Sequence, residues 1–389
     1  LRGRIAAAGL ALLLLWLAVG MARVAPHYLS YFNEIAGGPN SGWQFLADSN
    51  TDWGQTFGTL ADYQSESGLG TVKLSAFTFY DPAAYGVDYD PIAPMTGAPT
   101  VLRRRFNPEA GAYAISATTL DGVPLAYPAT FDWFRHRKPF AQIGHVMLLY
   151  DVSPLQGTWL AQCSTPVAPL TAEAAAEGFG VDGLRSVTFD CEQSWVLPGD
   201  ASGTGWYARA IEEQTRLRWP REDLVRADLL PAWVASWSPV GLVVNYVQGR
   251  SGALPAFALW ACDACEALAP KATADLQGLL VFQGFVAPAS ADNGTTIDVL
   301  TTWRILATPE RPVSLMLHLR GVDGVPIAIG DGLGYPIEQW RAGDWLVQRH
   351  RLAIPAGVAG DYTLHTGAYW LDTLVPLRGE TPTVALVIE

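Results

Sequence analysis

The pattern of hydrophobic and polar residues begins with an apolar segment of the kind that spans a membrane. Residues 5–24 are almost entirely apolar, and the arginines Arg2 and Arg4 precede them. About 20 apolar residues are enough for a helix to cross a bilayer, and flanking positive charge is typical of the cytoplasmic side. We therefore predict a transmembrane helix within residues 1–26, a cell-membrane location, and an extracytoplasmic position for residues 30–389. A secretory signal peptide has a similar pattern and is the alternative.

The next stretch, residues 27–155, alternates apolar runs of strand type with helical spacing. Runs rich in β-branched and aromatic residues predict four strands, over residues 43–47, 72–80, 112–117 and 143–152. Apolar positions recur at helical spacing from Trp53 to Ala61, which predicts a helix ended by Gly68. A helical turn is expected at 131–136. The order of elements indicates an α/β domain with a mostly parallel, Rossmann-like sheet.

The remaining sequence is dominated by strand patterns. In residues 156–270 short apolar runs predict strands near 186–189, 205–207, 242–247 and 255–260, and we expect a small β-rich domain. Residues 270–275 are predicted to be a linker. Residues 271–389 contain seven runs with good alternation, separated by Gly, Pro and Asp, which indicates a β-sandwich. These runs are residues 279–286, 296–303, 313–319, 326–329, 345–352, 362–370 and 383–388.

The predicted fold class is thus α+β and multidomain. A transmembrane helix (1–26) precedes an α/β domain (27–155), a β-rich domain (156–270) and a β-sandwich (271–389). With 389 residues, the chain is long enough for each domain to bury its own core.

Charge and composition exclude several classes of function. The net charge of −12 leaves no basic stripe for phosphates, so we predict no nucleic-acid partner. The run Arg103-Arg104-Arg105 is interpreted as a solvated loop. The six histidines are dispersed without metal-ligand spacing, so neither a metal nor a cofactor is predicted.

Four cysteines fit an oxidising compartment, where disulfides persist. We predict the pairs Cys163–Cys191 and Cys262–Cys265, although sequence alone allows three pairings. The Cys-x-x-Cys spacing of the second pair is also compatible with a redox motif. A zinc site formed together with Cys163 and Cys191 is a further alternative.

Candidate ligand-binding residues lie where three predicted strands end. Ligands of open α/β sheets bind outside the carboxyl ends of the strands. The candidates are Asp48, Asn50, Asp52 and Gln55 after the first strand, Tyr80 and Asp81 after the second, and Ser116 and Thr118 after the third. Short polar side chains at such positions also cap helices and satisfy loop amides, which is the structural alternative. We predict no catalytic residue here, although a pair such as Asp48 and Asp52 would suit a glycoside hydrolase.

Two motifs in order carry a resemblance to a known family. YFNExxGGP at residues 31–39 and DSNxDWGQ at residues 48–55 resemble the segment after the last membrane helix of bacterial lipid-carrier-dependent glycosyltransferases, of the protein-mannosyltransferase type and family 39-like. The resemblance covers residues 5 to about 155. It implies transfer of a sugar from a polyprenyl-phosphate donor outside the cytoplasmic membrane. It also implies that this sequence is a fragment, without the first extracytoplasmic loop in which that family keeps its catalytic aspartate.

Three hypotheses follow from the residues and the resemblance. The first is an extracytoplasmic, non-catalytic portion of such a glycosyltransferase, with an acceptor-binding or bracing role. The second is a membrane-anchored carbohydrate-binding protein whose sandwich aromatics stack on sugar rings, and the third is an exported hydrolase using the aspartate pair. The expected partners are the lipid bilayer and a carbohydrate or lipid-linked sugar. The sandwich aromatics in question are Tyr335, Trp340, Trp345, Tyr369 and Trp370.

Overall fold

The computed structural model describes residues 2–48, 51–99, 101–135, 137–199, 203–210, 238–243, 257–262 and 274–389. The chain divides into two compact units. Unit 1 comprises Leu1–Pro154, Glu177–Gly180 and Gly241–Leu254, and unit 2 comprises Leu155–Ala176, Val181–Val240 and Pro255–Glu389.

Helix α1, Arg2–Val24, begins unit 1. An 18-residue window within Gly3–Val24 has a mean hydropathy of 2.4, so α1 is long and apolar enough to cross a membrane. The helix end is packed into the unit, since Val24 is only 1% exposed. Just beyond it, the Ser30 hydroxyl donates a hydrogen bond to the Gly144 carbonyl at 3.3 Å.

The sheet of unit 1 has five strands in the order β2-β1-β3-β5-β4. β1 pairs in parallel with β2 and β3, whereas β5 pairs antiparallel with β3 and β4. The strands are β1 Val72–Ser75, β2 Tyr89–Pro91, β3 Gly111–Ser116, β4 Ala141–Ile143 and β5 Met147–Val152.

The expectation of a mostly parallel sheet is therefore wrong. The difference comes from one apolar run that was predicted to be a single strand. Residues 143–152 read as a single strand, but the backbone turns at Gly144 and His145, where φ is +52° and +72°. The turn folds the run into the β4–β5 hairpin, whose ladder is antiparallel. Half of the pairings thus run against the predicted direction, and a Rossmann-like sheet is not confirmed.

Five helices follow in this part of the chain and in the first part of unit 2. They are α2 Pro39–Gly42, α3 Phe57–Ser67, α4 Ala117–Asp121, α5 Asp132–Arg135 and α6 Ala172–Phe179. α3 buries Phe57 and Leu60 against the sheet and ends at a left-handed Gly68, as its spacing predicts.

The prediction of a strand over residues 43–47 is wrong. That run is an open turn after α2, and Phe45 is 71% exposed. The predicted helical turn at 131–136 corresponds to α5, and His136 lies outside the described residues.

The first sheet of unit 2 has the order β10-β11-β9-β6-β7. The disulfide Cys163–Cys191 is present, with the two Cα atoms 5.2 Å apart, which confirms that prediction. Cys262 is disulfide-bonded too, but Cys265 lies outside the described residues, so its pairing stays a prediction. The strands are β6 Trp159–Cys163, β7 Arg185–Phe189, β9 Gly205–Ala210, β10 Ser238–Val243 and β11 Phe257–Cys262.

Two further sheets of unit 2 pack their inner faces together. Their orders are β12-β13-β15-β18-β8 and β14-β21-β19-β16-β17, with β20 beside β19. Val299 and Leu352 from the first sheet meet Leu317, Leu364 and Leu386 from the second in one core. The strands are β8 Ser194–Leu197, β12 Ala274–Leu276, β13 Leu280–Val286, β14 Ser290–Ala291, β15 Thr296–Ile305, β16 Val313–Arg320, β17 Pro326–Ile329, β18 Trp345–Ala353, β19 Gly360–Trp370, β20 Val375–Pro376 and β21 Thr383–Ile388.

All seven strands predicted in the last part of the chain are found, as β13, β15, β16, β17, β18, β19 and β21. The predicted linker 270–275 is partly wrong, because Ala274 and Asp275 already belong to β12; residues 270–273 lie outside the described part. The predicted boundary at residue 270 falls inside unit 2. There β8 pairs with β18, with Leu346 opposite Val196, so strands from both predicted domains share one ladder.

A buried ion pair ties distant segments of unit 2 together. Both guanidinium Nη atoms of Arg185 donate to the carboxylate of Asp344, at 2.6 and 2.7 Å, across 159 residues of sequence. Asp344 also accepts from the Tyr335 hydroxyl and from the backbone N–H groups of Gly199 and Arg341. A buried ion pair whose remaining donors and acceptors are satisfied in this way fixes the geometry of its segments.

Candidate functional site

The carboxyl ends of the parallel strands β1 and β3 form a buried polar cluster in unit 1. β1 ends at Ser75 and β3 at Ser116, and both side chains are fully buried. Ser116 is the N-cap of α4 and accepts from the Thr119 N–H at 3.4 Å. The Thr119 hydroxyl lies 3.2 Å from the Ser75 carbonyl and donates to it, so it links the two strand ends. Buried hydroxyls are paired here, as burial requires.

Asp48 joins this cluster through its backbone. Its N–H donates to the Thr118 hydroxyl at 3.1 Å, and its carbonyl accepts from the N–H of Thr51 at 2.9 Å. The residue has φ of +71°, a left-handed conformation that Asp adopts more readily than most residues. Its carboxylate makes no hydrogen bond among the described residues. The predicted residues Asp48 and Thr118 therefore do meet, but through main-chain geometry.

Asp52 is the most deeply buried acid of the cluster, with no exposed surface. Its Oδ1 accepts from the Gly54 N–H at 3.0 Å, whereas Oδ2 has no hydrogen-bond partner in the part of the chain that the structure describes. Burial raises the pKa of Asp52 above its ordinary value, and the Gly54 N–H and the Ser116 hydroxyl only partly offset that rise. Predicted residues Asp52 and Ser116 are therefore neighbours.

The turn that follows is braced by its own side chain. Gln55 accepts from the Trp53 N–H at 2.7 Å and donates to the Thr51 carbonyl at 2.8 Å. Gly54 has φ of +84°, and a Cβ placed there would lie 2.8 Å from the Thr78 hydroxyl, so glycine allows a close approach to the chain after β1. Helix α3 has Thr56 as its N-cap without a side-chain cap bond, so neither Asp48 nor Asp52 caps it.

Next to this turn lies an open cleft of about 600 Å³, which we call the aromatic cleft. Phe77, Phe79, Tyr80, Tyr89 and Met95 contribute its apolar surfaces. Phe79 is 83% exposed and Tyr80 61%, although both are large apolar side chains. The Trp53 ring packs against the rings of Phe77 and Phe79, with centroid distances of 5.2 and 6.1 Å. The DSNxDWGQ turn thus supports one wall of the cleft.

The aromatic cleft also has polar groups in its lining. Among the described residues that line it, Asp81 is the one with a charge, beside Thr78, Thr96 and the tyrosine hydroxyls. Asp81 Oδ1 accepts from the Ala83 N–H at 2.9 Å and from the Tyr89 hydroxyl at 3.1 Å. This lining can bind a ligand that has both an apolar face and hydroxyl groups.

Sequence reasoning located part of this site. Tyr80 and Asp81 line the cleft, Gln55 braces the neighbouring turn, and Asn50 lies outside the described residues. Phe77 and Phe79 were missed, because residues 72–80 were predicted to be one strand, whereas β1 ends at Ser75. The signal available in the sequence was the run Phe77-Thr78-Phe79-Tyr80, which is unusually aromatic for a segment after a strand.

The predicted sugar-stacking aromatics of unit 2 are partly wrong. Tyr335 and Trp340 are at most 1% exposed and belong to the core of the unit. Trp345, Tyr369 and Trp370 are half-buried, and the Arg311 guanidinium lies 4.9 Å from the centre of the Trp370 ring. Among the described residues, no group of three or more His, Cys, Asp or Glu side chains has the geometry of a metal site.

Comparisons with known proteins give no family. No protein-family model matches the chain, and no curated protein sequence matches it. Among solved structures, it is similar to the CARDB domain of the PF1109 protein in complex with di-metal ions from Pyrococcus furiosus. That likeness has 12% identity and a TM-score of 0.20, and it covers 32% of this chain and 95% of that one. So low a score carries no argument about this chain.

We predict that Asp48→Ala destabilises the protein while Asp48→Gly does not. A left-handed backbone costs an alanine about 1 kcal/mol but costs glycine almost nothing, and the Asp48 carboxylate has no bond to lose. Thermal unfolding of the full chain in detergent micelles should show the alanine variant melting about 2–4 °C lower. Equal losses in both variants would mean that the carboxylate itself is needed.

Asp52→Asn should change how stability depends on pH. Because the folded-state pKa of Asp52 is raised, the folded protein holds this proton more tightly than the unfolded chain. Its contribution to stability is therefore lost as pH rises from the unfolded pKa of about 4 through the folded pKa, by at most about 1.4 kcal/mol per pH unit. Denaturant unfolding between pH 4 and 8 should show this loss in the wild type and not in Asp52→Asn. The surface change Asp62→Asn serves as the control, and parallel profiles for wild type and Asp52→Asn would contradict the prediction.

Proposed function

We propose that this chain is the extracytoplasmic portion of a membrane glycosyltransferase that uses a polyprenyl-phosphate-linked sugar donor. In this proposal the chain does not carry the catalytic residues, and unit 1 binds the saccharide acceptor in the aromatic cleft. The observation that carries the proposal is the cleft itself, an aromatic-walled opening at the carboxyl end of β1 beside the DSNxDWGQ turn. The proposal keeps one Rossmann-like feature. β1 and β3 are parallel, and the ligand would bind beyond their carboxyl ends.

Exposed aromatic rings favour a carbohydrate ligand. Contiguous exposed apolar surface marks binding sites, whereas single exposed apolar residues are normal on any protein. A sugar ring offers an apolar C–H face to such rings and a rim of hydroxyls to nearby acceptors. Phe79 and Tyr80 supply exposed rings, and Asp81 and Thr78 supply acceptors within the same cleft. The combination fits a saccharide better than a purely apolar ligand.

The charge of the lining favours the acceptor over the phosphate of the donor. Asp81 is the one charged lining residue, and its negative charge repels a phosphate or pyrophosphate group. A neutral saccharide has no such penalty and can donate hydroxyl hydrogen bonds to the carboxylate. The cleft is therefore assigned to the neutral acceptor sugar, and the donor phosphate is assigned to the membrane part of the enzyme.

Two further features support the location in the proposal. α1 is long and apolar enough to anchor the chain in a membrane, and its end packs into the unit that carries the cleft. The Cys163–Cys191 disulfide is typical of proteins outside the cytoplasm, where such bonds persist. Together they support a binding unit held close to the outer membrane surface, as a lipid-linked donor would require.

Removing the exposed rings should abolish saccharide binding without unfolding the protein. We expect the full chain in detergent micelles to bind neutral oligosaccharides in a titration calorimeter. Phe79→Ala and Tyr80→Ala should each weaken binding at least about tenfold, as the loss of one stacking contact does. Because both side chains are mostly exposed, the melting temperature should stay unchanged. Phe140→Ala, at an exposed ring outside the cleft, is the matched control. No binding by the wild type, or equal binding by all variants, would refute the cleft assignment.

A membrane-anchored carbohydrate-binding protein is the second candidate, because the same cleft would serve it. The purified chain should show no sugar transfer from polyprenyl-linked donors under either reading. The two readings differ in membranes from the cells that produce the protein. There, Phe79→Ala should reduce transfer from the polyprenyl donor to the acceptor if the chain belongs to the transferase. Unchanged transfer together with lost saccharide binding would favour the binding protein, and turnover by the purified chain would overturn its assignment as non-catalytic.

A further inference from the structure

Unit 2 contains a polar cavity of about 530 Å³ that is separate from the aromatic cleft. It lies where β9, β18, the turn after β7 and the turn after β17 meet. Three arginines line it, Arg209 from β9 and Arg349 and Arg351 from one face of β18, together with the acids Glu192 and Asp331. We call it the arginine cavity. Its lining has a positive excess in a chain whose net charge is −12.

Most of the other charges in this cavity are already paired. Asp331 accepts from the Leu317 N–H at 2.9 Å and lies 3.3 Å from the His318 ring nitrogen Nε2. Arg349 forms an ion pair with Asp298, and the Arg351 Nε lies 3.7 Å from the same carboxylate. Two arginines therefore share a single aspartate, which leaves donor groups on both available to a ligand.

Arg209 differs from these residues. Its side chain is half-buried, and no hydrogen bond or ion pair joins it to any residue in the described ranges. Partly buried charged groups are normally paired, because removing a guanidinium from water without a partner is unfavourable. The planar guanidinium presents five N–H donors in a fork that matches a carboxylate or phosphate. The guanidinium of Arg209 can therefore donate to an anion in the cavity.

We infer that the arginine cavity binds an anionic saccharide, whose carboxylate or phosphate group is held by Arg209 with Arg349 and Arg351. The cavity is much larger than a single oxyanion, so it has room for a larger molecule that carries the anion. The walls are polar rather than aromatic, and the Glu192 carboxylate can accept hydrogen bonds from sugar hydroxyls. A uronate and a sugar phosphate share this chemistry. The inference is independent of the proposed function, because the site lies in a different unit and takes a ligand of different charge.

The test is titration calorimetry with the full chain in detergent micelles, using glucuronate, glucose 6-phosphate and glucose as probes. We expect at least one of the two anionic sugars to bind at this site, with an affinity that falls as salt concentration rises. Binding of glucuronate alone would identify a uronate ligand, and binding of glucose 6-phosphate alone a phosphate ligand. Arg209→Gln should weaken anion binding at least tenfold. Arg304→Gln, at an exposed arginine of β15 outside the cavity, is the matched control and should bind as the wild type does.

Arg351→Gln is a second variant. Because the Arg351 side chain is 70% exposed, a loss of binding in this variant would not result from misfolding. The substitution should weaken anion binding by about threefold to tenfold with an unchanged melting temperature. The inference is overturned if neither anionic sugar binds at millimolar concentration. It is also overturned if glucose binds as tightly as the anions, or if both cavity variants bind like Arg304→Gln.

Discussion

Unit 1 depends on one constraint: two parallel strands end inside it and leave polar groups that must be satisfied without water. Thr119 satisfies some of these groups by bridging Ser116 and the carbonyl of Ser75. The Thr118 hydroxyl satisfies another by accepting a hydrogen bond from the Asp48 N–H. These bonds hold the residue 48–55 turn against the strand ends. This turn positions Trp53, and the Trp53 ring packs against Phe77 and Phe79. The open cleft thus owes its shape to hydroxyl groups that no ligand in the cleft would contact.

The sequence predicted elements best where alternation decides the outcome. All seven strands predicted in the last part of unit 2 are found, and in β15 and β21 burial alternates with the expected period of two. The prediction for residues 143–152 was wrong because the segment is mostly apolar and has no clear alternation, so the turn at Gly144 and His145 was not recognised. At the site, the strand-end rule located Tyr80 and Asp81. Exposure of Phe79 could not be predicted, because an aromatic residue near a strand is ordinarily part of the core.

The two candidate sites differ in the chemistry that they can recognise. The aromatic cleft combines exposed rings with a single negative charge and so disfavours anions. The arginine cavity has a lining that is more polar than apolar and contains three guanidinium groups. Of the two aspartates that would suit a catalytic pair, Asp52 is a buried acceptor for the Gly54 N–H, whereas Asp48 takes part through its backbone.

The buried pair of Arg185 and Asp344 also sets the order in which unit 2 can be completed during synthesis. Arg185 is made 159 residues before its partner, and a guanidinium cannot settle in an apolar interior while its counter-charge is missing. β8 likewise cannot pair until β18, its neighbour in the sheet, has been made. The first sheet of unit 2 therefore cannot close its core on the emerging chain. Until residue 344 has been made, the core around Trp159 and Phe189 lacks the strand β18 that completes it.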